Sequence, residues 1–168
     1  MSGERKKPKV KPAAAKRNKS ASDSAKPDVV SVWLRLMACY NLIQGEIRAR
    51  LRDEFETTLP RFDILAQIDR SPVGPTMGEL SQRLLVTKAN ITDLMGRLEA
   101  EDLVYRQKSE TDSRVSHVYL TPKGKKALEV MLKAHKAWLA ELMGSLDPED
   151  MNSLSGALGR LKSQLKDK

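Results

Sequence analysis

The sequence predicts a mainly α-helical fold (α+β) with one small β-hairpin. Apolar residues recur at spacings of three, four and seven over most of the chain, which is the period of an amphipathic helix. Two short segments, 103–108 and 116–120, instead have the composition of paired strands, and the second one alternates. Aromatic residues make up only 4% of the chain, which favours an aliphatic core between helices.

Length and composition indicate one globular domain. A chain of 168 residues can bury one substantial core, whereas a second full domain would be cramped. No apolar run is long enough to span a bilayer, and the polar N-terminus is unlike a secretion signal. The single cysteine, Cys39, cannot form an internal disulfide and suits a reducing compartment. We therefore expect a cytoplasmic protein.

Residues 1–28 form a basic segment that differs from the rest. The whole chain has a net charge of +8; nine basic and three acidic residues in this segment give it +6 and leave +2 for the remainder. The segment is rich in Lys, Ala, Ser and Pro, so we expect it to be disordered. It is either a solubilising tail or a basic arm that contacts DNA phosphates nonspecifically.

The first helix is predicted from Val29 to about Glu56. Its surface is more apolar than one small domain needs, so part of it is expected to meet a partner chain. A second helix is predicted to begin at Thr58, a capping residue followed by Pro60 in the first turn, and to end at residues 71–75. The apolar stripe of the first helix consists of Trp33, Met37, Tyr40, Ile47, Leu51 and Phe55.

Two short helices follow. Thr76 and Glu79 form a capping box at the start of the third, and Thr87 caps the fourth after the apolar corner Leu85-Val86. The fourth helix directs Ile91, Leu94, Met95 and Leu98 inward. Its outward residues near the start are Lys88, Ala89, Asn90, Thr92 and Asp93. A helix, a tight corner and a second helix with small, polar or basic first turns suit a DNA major groove.

The two strands and their polar tip, residues 109–115, form a wing beside this helix-turn-helix. Thr121-Pro122 begins a long helix through Leu146, and Asp147-Pro148 begins a last one. The terminal helices are too apolar to stand alone, which favours a dimer.

The predicted organisation is a winged helix-turn-helix. It has a disordered tail at 1–28, a DNA-binding lobe at 58–121, and dimerisation helices at 29–57 and 122–168.

Seven segments occur in a characteristic order: Leu59–Leu65, Met77–Leu80, Val86–Thr92, Arg97–Glu99, Leu103-Val104, Asp112–Arg114 and Leu120–Gly124. No single segment is specific, but their order and spacing are. Together they resemble the multiple antibiotic resistance regulator (MarR) family, over roughly residues 33–165. Two positions depart from the pattern: Asp102 stands where members often have glycine, and Ser113-Arg114 stands where many have two successive arginines.

The resemblance implies a homodimeric repressor that binds a pseudo-palindromic operator in double-stranded DNA and responds to a small effector. The Leu59–Leu65 segment and the long N-terminal extension are most similar to the subgroup that controls the breakdown of aromatic acids. The implied effector is therefore an aromatic acid or its coenzyme A thioester, and no cofactor is implied.

Three groups of residues are predicted to contact DNA. The start of the fourth helix offers side chains that suit adenine, guanine, thymine methyl groups or phosphate. At the wing tip, Arg114 can enter a narrow minor groove beside Ser113, and Asp112 resembles the family acid that pairs with an arginine and shapes the wing. Arg97 resembles a family residue near the DNA backbone. The predicted DNA-contacting residues at the start of the fourth helix are Thr87, Lys88, Ala89, Asn90 and Thr92. A solvent-facing helix turn and an exposed ion pair are the alternatives.

A candidate effector site is predicted between the first helices of the chain and the fifth helix. Filling it could change the spacing of two recognition helices in a dimer. Ordinary core packing, or a solvated face for the arginines, explains each of these residues individually. The predicted set is Trp33, Met37, Tyr40, Arg48, Arg52, Phe62, Leu65 and His135, with Trp138 as an alternative to His135.

Other chemistries have less support. Some relatives sense peroxide with an N-terminal cysteine, which requires an activated and accessible thiol. Nothing near Cys39 in the sequence assures either property, and a buried, inert cysteine is the alternative. The two histidines, His117 and His135, show no metal-ligand spacing, and no nucleophile motif indicates an enzyme. A nonspecific DNA-organising or protein-interaction module, driven by the basic tail, is the alternative to a repressor.

Overall fold

The computed structural model describes residues 28–84, 86–109, 111, 112 and 114–167, apart from the side chain of Lys88. The predicted tail at 1–28 therefore lies outside the described residues except for Asp28. The elements, in order, are α1 Val29–Phe55, α2 Leu59–Asp69, α3 Met77–Leu84, α4 Lys88–Ala100, β1 Val104–Lys108, β2 Ser116–Leu120, α5 Pro122–Leu142 and α6 Pro148–Lys166. The predicted mainly helical class with a two-stranded wing is confirmed. No described helix is both long and apolar enough to cross a membrane.

The described residues divide into two compact units, 28–37 and 38–167. In the first, Asp28 caps the start of α1, because its carboxylate accepts a hydrogen bond from the backbone N–H of Ser31 at 2.9 Å. This segment exposes apolar side chains, including Val29 and Trp33. The remaining description concerns the second unit.

The core is built around α2, which buries side chains on most of its circumference. Predicted inward residues Phe62, Leu65 and Ile68 are all buried. Burying a side chain of this kind stabilises the fold by about 1.5–3 kcal/mol. Around α2 lie Ile47 and Leu51 of α1, Leu80 of α3, Ile91, Met95 and Leu98 of α4, Val104, Val118 and Leu120 of the hairpin, and Leu128, Met131 and Trp138 of α5.

The wing strands pair antiparallel, with Val104 opposite Leu120 and Lys108 opposite Ser116. Tyr105 and Tyr119 stack across the strands with ring centroids 5.6 Å apart. The hairpin therefore rests its apolar face on the core and keeps a polar tip away from it.

The turn between α4 and β1 depends on a left-handed residue. Asp102 has φ 58°. Its N–H bonds to the carbonyl of Glu99 at 3.0 Å, and the N–H of Leu103 bonds to the carbonyl of Leu98 at 2.9 Å. These two bonds form a Schellman motif, which normally has glycine at this position. Asp102 therefore adopts the backbone conformation that glycine usually provides at a helix end.

One predicted helix boundary is wrong, and one predicted cap lacks its side-chain hydrogen bond. The helix predicted to run through Leu146 ends at Leu142, because Gly144 is a poor helix former and its N–H bonds to the carbonyl of Glu141 three residues back. Thr58 occupies the cap position of α2 with extended backbone, but its side chain makes no capping hydrogen bond. The backbone carbonyl of Thr58 instead accepts from the N–H of Phe62 at 3.1 Å.

Candidate nucleic-acid interface

The corner between α3 and α4 is held by one residue. The hydroxyl of Ser81 donates to the carbonyl of Val86 at 2.7 Å, and the backbone N–H of Val86 donates to the carbonyl of Ser81 at 3.2 Å. The other predicted corner residue, Leu85, lies outside the described residues. Both helices also contribute to the shared core through Leu80 and Ile91. The angle between α3 and α4 is consequently fixed by the core packing and by the two hydrogen bonds between Ser81 and Val86.

Capping fixes where α3 and α4 begin. The N–H of Thr76 donates to the Glu79 carboxylate at 2.7 Å, and the N–H of Glu79 donates to the Thr76 hydroxyl at 3.2 Å, which completes the predicted capping box. At α4, the Thr87 hydroxyl accepts from the N–H of Asn90 at 3.3 Å. The remaining first-turn N–H groups of α4 point out of its N-terminus, where the helix dipole favours an anion such as phosphate.

The outward residues predicted from the sequence do lie on the exposed face of α4. Ala89, Asn90 and Thr92 are exposed there. The side chain of Lys88 lies outside the described part, although its backbone begins the helix. A helix with a buried apolar stripe and a row of small or polar side chains on the other side can enter a major groove.

The wing tip is shaped by Asp112. Its carboxylate accepts a hydrogen bond from the backbone N–H of Arg114 at 2.9 Å, and its carbonyl accepts from the N–H of Val115 at 2.9 Å. Among the described residues no arginine side chain pairs with it, so Asp112 holds the wing through backbone contacts rather than the ion pair implied by the resemblance. The Arg114 side chain is exposed, and Ser113 lies outside the described residues.

The wing strand β2 is anchored to the loop that precedes α3. A ring nitrogen of His117, Nδ1, lies 2.6 Å from the carbonyl of Gly74, and the N–H of Val118 donates to the carbonyl of Pro75 at 3.0 Å. A Cβ at position 74 would lie 2.3 Å from the carbonyl oxygen of Val118, so only glycine fits. The wing and α3 are therefore positioned together.

Two ion pairs arise from α4. The guanidinium of Arg97 lies 3.1 Å from the carboxylate of Asp93, and both side chains are about two thirds exposed. Arg106 of β1 reaches Glu99 at 2.8 Å and ties α4 to the wing. Arg97 is therefore placed on the exposed face of α4, as expected for a residue near DNA, although the same placement also suits an ordinary surface ion pair.

The predicted effector residues are only partly brought together. The rings of Phe62 and His135 lie 5.0 Å apart, and Trp138 meets His135 edge-on at 6.5 Å. Burial lowers the pKa of His135, which favours the neutral ring. Tyr40, Arg48 and Arg52 are exposed on this chain, and Arg52 pairs with Asp53 at 3.0 Å. In the other unit, Trp33 is exposed and Met37 half-buried.

None of the three clustered aromatic residues lines the groove of about 390 Å³ between α2, α5 and the end of α4; Leu65 is the predicted effector residue that does. Its polar lining includes two carboxylates, Glu56 and Glu101, and one guanidinium, that of Arg61. Arg61 is in hydrogen-bonding contact with Glu101, the C-cap residue of α4. The ion pair lowers the pKa of Glu101. The buried Nε of Arg61 makes no hydrogen bond to a described residue. The other lining residues are Phe55, Thr57, Leu103, Ala127, Val130 and Met131.

Sequence reasoning missed Arg61 and Glu101. They lie 40 positions apart, so only the packing of α2 against the end of α4 reveals the pair. The described residues contain no group of His, Cys, Asp and Glu able to hold a metal ion. Cys39 is exposed on α1, so the expectation of a buried cysteine is wrong.

Comparison with known proteins supports this geometry. A sequence model of the MarR family matches residues 56–115, which include α2, α3, α4, β1 and the whole wing tip. An HTH-type transcriptional regulator from Bacillus cereus is 31% identical over 107 residues, covering 64% of this chain and 69% of the relative.

Two further relatives share slightly lower sequence identity. The HTH-type transcriptional regulator YsmB of Bacillus subtilis is 28% identical over 93 residues, covering 55% of this chain and 64% of YsmB. The transcriptional activatory protein BadR of Rhodopseudomonas palustris is 27% identical over 135 residues, covering 79% of this chain and 77% of BadR.

Solved structures share the fold. AbsC from Streptomyces coelicolor, a MarR family transcriptional regulator, superposes with a TM-score of 0.71 at 22% identity, covering 86% of this chain and all of AbsC. Streptococcus pneumoniae FabT, solved in complex with DNA, superposes with a TM-score of 0.69 at 23% identity, covering 83% of this chain and 99% of FabT.

Proposed function

The chain belongs to the MarR family of DNA-binding transcriptional regulators, and from this premise we propose that it acts as a ligand-responsive homodimer on a pseudo-palindromic operator. In each protomer α4 enters a major groove and the wing enters the adjacent minor groove. The observation that carries the proposal is the exposed face of α4, capped by Thr87 and flanked by a wing whose tip presents Arg114.

The proposed base and phosphate contacts come from the start of α4 and from the wing. Asn90 suits adenine, Lys88 suits guanine or phosphate, and the methyl groups of Ala89 and Thr92 suit thymine. Thr87 lies at the α4 N-terminus, where phosphate is favoured. The wing contributes Arg114 with Ser113 beside it, and Asp112 holds the turn. Arg97 contacts the sugar-phosphate backbone of the DNA.

The proposed dimer uses the apolar ends of the chain. On α6 no residue is buried, and its apolar side chains recur at helical spacing although they face solvent in the single chain. The first unit likewise exposes Val29, Val30, Trp33 and Leu34. Rows of exposed apolar side chains of this kind are typical of protein interfaces. Those of α6 are Met151, Leu154, Leu158, Leu161 and Leu165.

The proposed effector is an aromatic acid or its coenzyme A thioester, bound in the groove that contains Arg61. The apolar walls suit an aromatic group, and the guanidinium suits a carboxylate or thioester oxygen. The groove also touches Glu101 at the end of α4, so a ligand that draws Arg61 away from Glu101 alters the support of the recognition helix.

A thermal-shift screen of aromatic acids and acyl-CoA thioesters, followed by operator-release assays, tests this effector site. A true effector raises the melting temperature and releases DNA, and Arg61→Met abolishes both effects. Arg52→Met is the matched control, since this exposed arginine was predicted from the sequence as an alternative ligand contact. Loss of the response in Arg52→Met alone would place the effector at the α1 surface instead.

We propose repression released by the effector as the mode of regulation. Activation is the second candidate, because the relative BadR is named an activatory protein. Deleting the gene distinguishes the two: transcripts of the target rise for a repressor and fall for an activator.

Deleting residues 1–28 tests whether the folded part, rather than the basic tail, selects the DNA. The truncated regulator retains its preference for operator over random duplex, with weaker binding to both and a shallower salt dependence. Loss of the preference itself would support the nonspecific DNA-organising alternative.

A further inference from the structure

The exposed face of α4 continues beyond the first-turn residues that were predicted to contact DNA. Ala89, Asp93, Gly96 and Ala100 recur at spacings of four and three, and all are exposed. They lie opposite the buried stripe of α4. A Cβ added at Gly96 would meet nothing within 4 Å. Asp93 is the charged member of this row.

A carboxylate in this position opposes DNA binding unless it makes a compensating contact. It faces a polyanion, and like charges repel most strongly where water is excluded from the interface. Arg97 neutralises it in part, since its guanidinium lies 3.1 Å from the carboxylate. An exposed ion pair of this kind contributes little to the stability of the fold, so stability alone does not explain why an aspartate stands at position 93.

Base edges in the major groove offer a hydrogen-bond donor that suits a carboxylate. Cytosine presents its N4 amino group and no acceptor beside it, and Asp or Glu accepts from this group. Guanine O6 and thymine O4 are acceptors that would repel a carboxylate. Asp93 is one helical turn, about 6 Å, beyond Ala89 along the α4 axis, within the part of a recognition helix that reads bases.

We propose that Asp93 is a specificity-determining residue that accepts a hydrogen bond from the N4 amino group of one cytosine in each half-site. Arg97 acts as a positioning residue, which orients the carboxylate and reduces its negative charge at the DNA surface. This inference rests on the proposed function, since it requires α4 to lie in the major groove.

In vitro selection from a random duplex library tests the inference with the full-length protein. Wild type, Asp93→Ala and Asp93→Asn are compared, and circular dichroism checks that each variant is folded. Glu99→Gln is the matched control, because it removes the same charge from α4 at a residue that pairs with Arg106 of the wing strand.

Wild type is expected to enrich a motif with cytosine at one position in each half-site. Asp93→Ala loses roughly tenfold or more of that preference and keeps the others, because one base contact discriminates by about this factor. Asp93→Asn moves the preference toward adenine, whose N6 and N7 suit an amide. Glu99→Gln retains cytosine.

The inference is overturned if Asp93→Ala enriches the wild-type motif unchanged, with all duplexes bound more tightly by a common factor. It is also overturned if the lost preference is for a base other than cytosine. In either case the proposed function stands, because wild type has still selected a motif. Failure of wild type to enrich any motif would reject both.

Discussion

Single aspartates determine two turns of the DNA-binding lobe. Asp102 adopts φ 58° at the end of α4, and Asp112 accepts the backbone N–H of Arg114 at the wing tip. Both uses follow from a short acceptor side chain that tolerates left-handed backbone and bonds to nearby N–H groups. Of these two turns, only that at Asp102 places its residue in the left-handed region that favours glycine.

Asp102→Gly is expected to stabilise the protein by about 0.5–1 kcal/mol, because glycine adopts the left-handed conformation without a Cβ penalty. The midpoint of urea unfolding measures the change. Arg70→Gly is the control: Arg70 is a helix C-cap residue with φ −73°, where glycine brings only added entropy in the unfolded chain. A less stable Asp102→Gly variant would contradict the strain assigned to this turn.

Arg114→Ala is expected to weaken operator binding by roughly tenfold, about 1.4 kcal/mol, because the exposed guanidinium at the wing tip enters the minor groove. The thermal midpoint stays unchanged, since Arg114 contributes its backbone N–H rather than its side chain to the wing turn. Fluorescence anisotropy at moderate salt measures the affinity. Lys136→Ala removes the same charge from α5 and should bind normally; unchanged affinity of Arg114→Ala would reject the wing contact.

At the scale of elements, local chemistry determines what the sequence predicts well. The capping box at Thr76, the caps at Thr87 and Thr121, and the cap at Asp147 all form as expected, because each involves residues three positions apart. The premature end of α5 was missed, because apolar periodicity continued past Gly144.

Long-range contacts were not predictable in the same way. The Arg61–Glu101 pair joins residues 40 positions apart, and the His117–Gly74 contact joins residues 43 apart. The positions of the elements could be inferred from periodicity and caps, whereas the groove depends on how α2, α5 and the end of α4 pack. The sequence pattern places Asp93 on the outward face of α4, whereas its ion pair with Arg97 is seen only in the structure.

The capping box of α3 should make stability depend on pH in the acid range. Hydrogen bonds from the backbone N–H and hydroxyl of Thr76 lower the pKa of Glu79 below its usual 4.5. Because the folded-state pKa is depressed, this contribution is present above about pH 4.5 and is lost as pH falls through the folded pKa. Chemical unfolding of wild type and Glu79→Gln between pH 7 and 3 measures it.

Wild type is expected to be the more stable of the two at pH 7, and the difference should shrink on acidification because the variant cannot titrate at this position. A difference that stays constant over this range would show that the carboxylate charge contributes nothing to the cap.

In the molecule as a whole, the apolar surface of α6 is the feature that matters most, because the single chain leaves it exposed to solvent. Its leucines are about 40–60% exposed. Trp33 and Tyr40, which belong to the predicted effector set, are also exposed. The sequence indicated that these segments meet a partner, and the predicted effector residues on α1 remain a prediction because one chain does not contain that partner.

Leu158→Glu is expected to convert the dimer to folded monomers, because it places a charge in the middle of the apolar row of α6. Sedimentation velocity measures the mass, and circular dichroism measures the helix content. Val73→Glu is the control, since Val73 is an exposed apolar residue in the loop between α2 and α3. A monomeric wild type, or a Leu158→Glu variant that stays dimeric, would contradict the proposed interface.

Sequence reading by α4, presented twice by a dimer, is what the other proposals require. The ratio of dissociation constants of the full-length protein for a shuffled duplex and for its own promoter, at physiological salt, measures it. We expect a ratio of roughly 10³ or more, the usual margin of a specific regulator. A ratio near one would contradict it.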